Sequence, residues 1–187
     1  MFLDGTYFQG ELELPQYGRV SAEAEPGTTD ALLTQTVGGL ALDWFIERYE
    51  EEFLRKLLGL PLYEAWKDGL AAAEPAEIWT ELKNRIYRVT GVGSFSPAAG
   101  YIYWFAMAAS VSDTTMTGEK KFKGTFSDNV SIVRKTVKAW NDMCDEVKRI
   151  REWIYTHREE ILDLMPPCAD IHYWCSGDFR HVNEFGI

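Results

Sequence analysis

From Val130 onward the apolar side chains Val130, Val133, Val137, Trp140, Cys144, Val147, Ile150 and Ile154 recur at steps of three and four. That is the spacing of one face of an α-helix. The run follows the capping oxygens of Ser127-Asp128-Asn129 and extends to about Leu164, where Met165-Pro166-Pro167 stops it. A helix of this length spans the domain. At 187 residues the chain can bury a real core but is short for two ordinary domains with a linker. The expectation is a mostly α single domain over residues 1–187, a compact helical bundle with one long C-terminal helix.

A second helix is written between Leu40 and Leu58. The row Ala41, Phe45, Tyr49, Phe53, Leu57 runs beside Leu40, Trp44 and Ile46, Leu54, Leu58, and makes a broad apolar face. Glu47, Glu50, Glu51 and Glu52 come early and Arg55 and Lys56 late, as the helix dipole favours. Gly59 suits a left-handed helix end and Pro61 cannot continue a helix, so the chain turns there and restarts at Leu62 or Tyr63. This is the corner of a helix hairpin. Shorter helices are predicted from Leu62 to Ala73 and from Ala76 to Arg88, separated by Glu74-Pro75, with Gly91, Gly93 and Ser94 as terminators. Ser96-Pro97 has the chemistry of a helix start, and Tyr101 to Val111 is apolar on nearly every side, which marks the central helix.

The remaining segments read as irregular. Residues 1–30, with Gly5, Gly10, Pro15, Gly18, Pro26 and Gly27, form an extended arm, and residues 31–165 form the bundle. Within the bundle, 112–128 reads as a long exposed loop whose large apolar residues Met116, Phe122 and Phe126 suggest docking. Residues 166–187 form an aromatic tail. Phe8, Phe185 and Ile187 complete the set of interaction candidates with the three loop residues.

Charge narrows the function classes. With 29 acidic against 19 basic side chains the net charge is −10, which repels a phosphate backbone and excludes tight nucleic-acid binding. Lys120, Lys121 and Lys123 read as solvated. The start Met1-Phe2-Leu3-Asp4-Gly5 lacks the basic, then apolar build of a signal peptide, and no uncharged run reaches the ~18 apolar residues of a membrane span. The chain is therefore expected to be made in the cytoplasm, stay soluble and leave membranes alone. Its three cysteines, Cys144, Cys168 and Cys175, give no disulfide framework and suit a reducing compartment.

Chemistry is sparse. Cys168, His172, Cys175 and His181 form a C-x3-H-x2-C-x5-H set that supplies four nitrogen and sulfur ligands for zinc, but the spacing matches no standard finger and ordinary packing of an aromatic tail competes. Gly91-Val92-Gly93-Ser94 lacks the lysine and following hydroxyl of a phosphate loop. Glu50-Glu51-Glu52 and Glu159-Glu160 read as solvated helix faces. With histidines only at 157, 172 and 181, no catalytic constellation assembles, so no catalytic residue, cofactor or metal is expected.

Against that background the run Tyr49-Glu50-Glu51-Glu52-Phe53-Leu54-Arg55-Lys56-Leu57-Leu58-Gly59-Leu60-Pro61-Leu62-Tyr63 stands out. It resembles the first helix and corner of helical head-tail connector proteins of tailed phages, most closely those of phages and prophages of Bacteroides-type bacteria. Tyr101-Ile102-Tyr103-Trp104-Phe105 through Thr114-Thr115-Met116-Thr117-Gly118-Glu119 is similar to their aromatic helix and Thr-Gly-Glu loop, and Asn183-Glu184-Phe185-Gly186-Ile187 to their ending. The resemblance implies a virion neck protein synthesised in the host bacterial cytoplasm. It would form a homo-oligomeric ring, commonly of twelve copies, that binds the portal protein on one side and tail or neck proteins on the other. DNA would pass through without specific binding, and the acidic surface suits such a conduit. The other readings are a zinc-stabilised helical protein and a generic helical interaction module.

Overall fold

The structure, a computed structural model, describes residues 2–14, 42–91, 93–115, 118–121, 132–165 and 179–183. Helices dominate the described residues: α1 (Leu42–Leu58), α2 (Leu60–Ala71), α3 (Glu77–Ile86), α4 (Pro97–Val111), α5 (Ile132–Thr156) and α6 (Arg158–Asp163). Two short antiparallel ladders join them, β1 (Arg88–Val89) with β2 (Ser94–Phe95), and β3 (Ser112–Thr115) with β4 (Gly118–Lys121). The mostly helical architecture with a long helix near the C-terminus is as expected. Among the described residues no helix is long and apolar enough to cross a membrane.

The most extensive packing is between α4 and α5, then between α1 and α4. The N-terminal half of α4 is enclosed on every side: Ala98, Ala99, Tyr101, Ile102, Tyr103 and Ala106 are all at most 1% exposed. Close approach of α4 to α5 needs Gly100, where an added Cβ would stand 3.0 Å from that of Met143. The start of α4 is set as its sequence suggests, by Ser96, whose Oγ accepts from the amide of Ala98 at 3.2 Å.

The hairpin corner is sharper than a left-handed cap. Gly59 alone links α1 to α2, at φ 74° and ψ 154°, a region that side chains with a Cβ avoid. Its amide still donates to the Arg55 carbonyl at 2.9 Å while its own carbonyl accepts from Tyr63 at 2.9 Å, so the turn loses little hydrogen bonding. Pro61 sits in the first turn of α2, where its missing N–H costs nothing. Helix α2 then packs on α3 through Gly69, over which the Trp79 indole lies, and the Trp66 Nε1 donates to the Trp79 carbonyl at 3.1 Å.

Four expectations are corrected. The part of the N-terminal arm within 2–14 is not extended: it forms two 3-10 turns, Gly5–Tyr7 and Gly10–Leu12, that lie on the bundle and bury Leu3, Tyr7, Phe8 and Leu14. Burial of such side chains contributes about 1.5–3 kcal/mol each, which outweighs the glycine-rich tendency to stay open. The segment after α4 is not structureless where it is described, because 112–121 carries the β3–β4 hairpin, registered Ser112 to Lys121 and Thr115 to Gly118. Gly91 and Gly93 do not terminate a helix; α3 has already ended at Ile86, and they belong to the β1–β2 turn closed by the Thr90 amide donating to Gly93 O at 2.9 Å. The long helix does not run unbroken to Leu164. It stops at Thr156, and α6 follows after His157, which leaves helical geometry at φ −101° and ψ 19° while its amide and its Nδ1 both donate to the Trp153 carbonyl, at 3.1 and 2.9 Å.

Candidate interaction surface

Two of the resembling segments, the Tyr49-to-Tyr63 helix and corner and the Tyr101-to-Phe105 helix, lie against one another; of the third, only Asn183 is among the described residues. Tyr49 on α1 stacks on Phe105 of α4 with centroids 4.4 Å apart and planes within 6°. Phe53 meets Tyr101 at 5.5 Å, and Tyr101 meets Trp140 of α5 at 5.9 Å. Such offset and tilted pairs add about 0.5–1.5 kcal/mol each beyond area burial. The Tyr101 hydroxyl, at the end of this stack, donates to Glu52 Oε1 at 2.9 Å and accepts from Lys56 Nζ at 2.9 Å, with Lys56 and Glu52 themselves paired at 2.9 Å. Partial burial pushes Glu52 upward, but hydrogen bonds from Lys56 and Tyr101 hold it net below the ordinary carboxylate range. Burial likewise works against the Lys56 ammonium, yet Tyr101 and Glu52 raise it above its ordinary value. The triad locks α1 to α4.

Glu50 overturns its expected place on a solvated face. It is 4% exposed, and its Oε1 accepts from the Phe2 amide at 2.9 Å, the Leu3 amide at 3.0 Å and the Tyr87 hydroxyl at 2.9 Å. One carboxylate therefore ties the N-terminal strap and the end of α3 to α1. Burial, and then the charge of Glu50, raise the Tyr87 phenol far above its ordinary value, so the hydroxyl stays protonated as the donor. Phe2 caps the arrangement, 5.6 Å from Trp66 and 5.2 Å from Tyr87, with Lys83 Nζ 4.6 Å from its ring. The sequence held a signal for this. Glu50 occupies the i+4 position between Ile46 and Leu54 on the buried face, where a charge needs a partner.

A cleft of about 660 Å³ opens between the strap, the β1–β2 hairpin and α5. Its floor includes Pro97, Gly100 and Met143, and one wall carries Arg88, Phe95 and Arg149. Phe95 is 51% exposed and the neighbouring Val89 72%, so the hairpin presents apolar side chains to solvent. Arg88 and Arg149 both point at Glu146 Oε1, and the Arg88 guanidinium is also 5.9 Å from the Phe95 ring. The cleft's other carboxylates are engaged elsewhere: Glu11 and Asp142 by Lys138, and Asp145 by His181 at 2.9 Å. The cleft was not visible in the sequence because its walls come from four separated segments.

The sequence candidates divide as follows. Phe8, expected to dock on a partner, is instead 7% exposed inside the core of its own chain. Met116, Phe122, Phe126, Phe185 and Ile187 lie outside the described residues, as do Lys123 and the zinc candidates Cys168, His172 and Cys175. His181 is described, exposed, and uses Nε2 on Asp145. Among the described residues no group of three or more His, Cys, Asp or Glu side chains is placed to hold a metal ion. Cys144 is a free, buried thiol. Comparison with known proteins adds no relative: no family model, no curated protein and no solved structure matches this chain.

Proposed function

We propose that this chain is a virion structural protein, an adaptor of the head-tail neck that assembles as an oligomeric ring between portal and tail and lets DNA pass. The observation that supports the reading is the packing of two of the resembling segments against each other. The Tyr49-to-Tyr63 helix and corner rest on the Tyr101-to-Phe105 helix through the Tyr49–Phe105 stack and the Glu52–Tyr101–Lys56 triad. The β3–β4 hairpin, which holds Thr114, Thr115, Gly118 and Glu119, follows directly at the end of that helix. The net charge of −10 is consistent with a conduit to which DNA does not adhere.

Electron microscopy of particles from a host carrying this gene tests the reading directly. The expected result is a ring of this chain at the capsid vertex between portal and tail. A chain that accumulates in infected cells and is absent from purified particles overturns it.

A further inference from the structure

We propose that the cleft between the 3-10 strap, the β1–β2 hairpin and α5 is filled by this chain's own Phe185 and Ile187, so that the segment 179–187 clasps α5. The cleft suits an apolar occupant. Among the described residues, each charged side chain that lines it already has a partner: Arg88 and Arg149 have Glu146, Arg85 has Glu81, Glu11 and Asp142 have Lys138, and Asp145 has His181. What the cleft leaves open is carbon, in the floor of Pro97, Gly100 and Met143 and in the Phe95 ring, which is 51% exposed. A half-exposed ring beside an apolar floor is stabilised when another apolar side chain covers it.

The residues before this pair lead the chain there. Phe179 is buried, its ring 5.5 Å from that of Phe53 and 5.3 Å from the Arg151 guanidinium. Trp140 Nε1 then donates to the Arg180 carbonyl at 2.8 Å, and His181 Nε2 meets Asp145 at 2.9 Å. The Asn141 side chain takes both backbone groups of Val182, donating to its carbonyl at 3.0 Å and accepting from its amide at 2.9 Å. Around the axis of α5, at about 100° per residue, Trp140 is followed by Asn141, Asp145, Arg149, Asp142 and Glu146. Residues 180–182 hold the first three of these positions, and the last four line the cleft. Asp145 belongs to both. The chain therefore crosses the outer face of α5 toward the cleft, and three side chains pin it to that course.

The sequence that follows fits in length and pattern. Glu184 to Ile187 lie outside the described residues. From Val182 three residues of extended chain reach about 10 Å, and the step around α5 from Asn141 to Asp142 spans about 9 Å at the ~5 Å radius of the helix surface. Phe185 and Ile187 stand two apart, so an extended chain turns both to one face. Gly186 between them adds no side chain to strike the opposite wall. These are two of the apolar residues for which the sequence implies a docking surface, and the clasp makes that surface part of their own chain. Because the contact lies within one chain, it depends on neither ring assembly nor a place in a neck.

Methyl NMR of the full chain, with isotope-labelled isoleucine and methionine and Ile187 assigned through Ile187→Val, tests the clasp. The Ile187 δ1 methyl should be shifted upfield by the Phe95 ring and give a cross-peak to the Met143 methyl. Phe95→Ala truncates a half-exposed ring, so circular dichroism and thermal melting should stay close to wild type while the upfield shift is lost. In a sample that mixes isoleucine-labelled with methionine-labelled chains the cross-peak should vanish, since the contact is within one chain. An Ile187 methyl at its unfolded-chain position without cross-peaks, an upfield shift untouched by Phe95→Ala, or a cross-peak that survives in the mixed sample each overturn the inference. The last result would seat the segment in the cleft of a second copy instead.

Discussion

Replacing Glu50 with alanine removes the one acceptor shared by Phe2 N, Leu3 N and Tyr87 Oη. A buried donor left without a partner costs about 1–3 kcal/mol, and bonds to a charged acceptor are the stronger kind. The Leu3 amide and the Tyr87 hydroxyl are buried, whereas the Phe2 amide is only partly so and can regain water if the strap peels back. Two full penalties and part of a third come to about 3–5 kcal/mol, a large share of the ~5–15 kcal/mol that holds such a domain together. Glu50→Gln keeps the shape and an accepting oxygen but loses the charge, and should cost about 1–2 kcal/mol. Tyr87→Phe removes one donor and leaves the other two in place. Its cost should combine with that of Glu50→Ala to less than their sum, since both remove the same bond. Urea unfolding followed by tryptophan fluorescence measures the stabilities, and amide hydrogen exchange at Leu3 reports the strap itself. A Glu50→Ala protein within about 1 kcal/mol of wild type, or Leu3 exchange unchanged by the mutation, would refute the assignment of Glu50 as the tie.

Other consequences are as direct. Gly59→Ala puts a Cβ on a residue at φ 74° and should destabilise by about 1–3 kcal/mol, read as a lower melting temperature; an unchanged melt would show that the corner relaxes. Gly69→Ala sets a Cβ 2.4 Å from the Trp79 ring, so the indole must move, at about 1–3 kcal/mol, and a shifted tryptophan emission should accompany the loss. The phenols of Tyr87, Tyr101 and Tyr103 are all raised, by burial before any other cause. Their stabilising contribution is therefore complete below the unfolded phenol pKa, near ~10, and is lost as pH rises beyond it. Absorbance at alkaline pH should show these tyrosines ionising together with unfolding, and smooth titration of all tyrosines in a folded protein would contradict this. Burial, then Asp145, push the Cys144 thiol up to about 11, with Arg151 opposing. At pH 8 only about 0.1% would be thiolate, so a thiol reagent should label at most two of the three cysteines before denaturant is added.

Local patterns carried much of the architecture. The three-and-four spacing on α1 and α5, the hydroxyl of Ser96 before Pro97 and the Gly59-Leu60-Pro61 corner act within a few residues of themselves, so helix faces and ends were legible from the chain alone. Tertiary contact decided the rest. The strap 2–14 has a composition suited to an open arm, and it folds down because Leu3, Tyr7, Phe8 and Leu14 find a core to enter and Glu50 holds its amides. Phe8 changed from docking residue to core for the same reason. Glu50 itself looked like one charge in a run of three, because the fact that makes it structural is the arrival of Phe2, Leu3 and Tyr87 from 48, 47 and 37 residues away. The arginine cleft is more remote still, since no stretch of sequence contains it; it exists only where a 3-10 strap, a two-residue ladder and one face of α5 meet. Periodicity determines which side of a helix is buried, but which side chain meets which across the core depends on how distant segments pack.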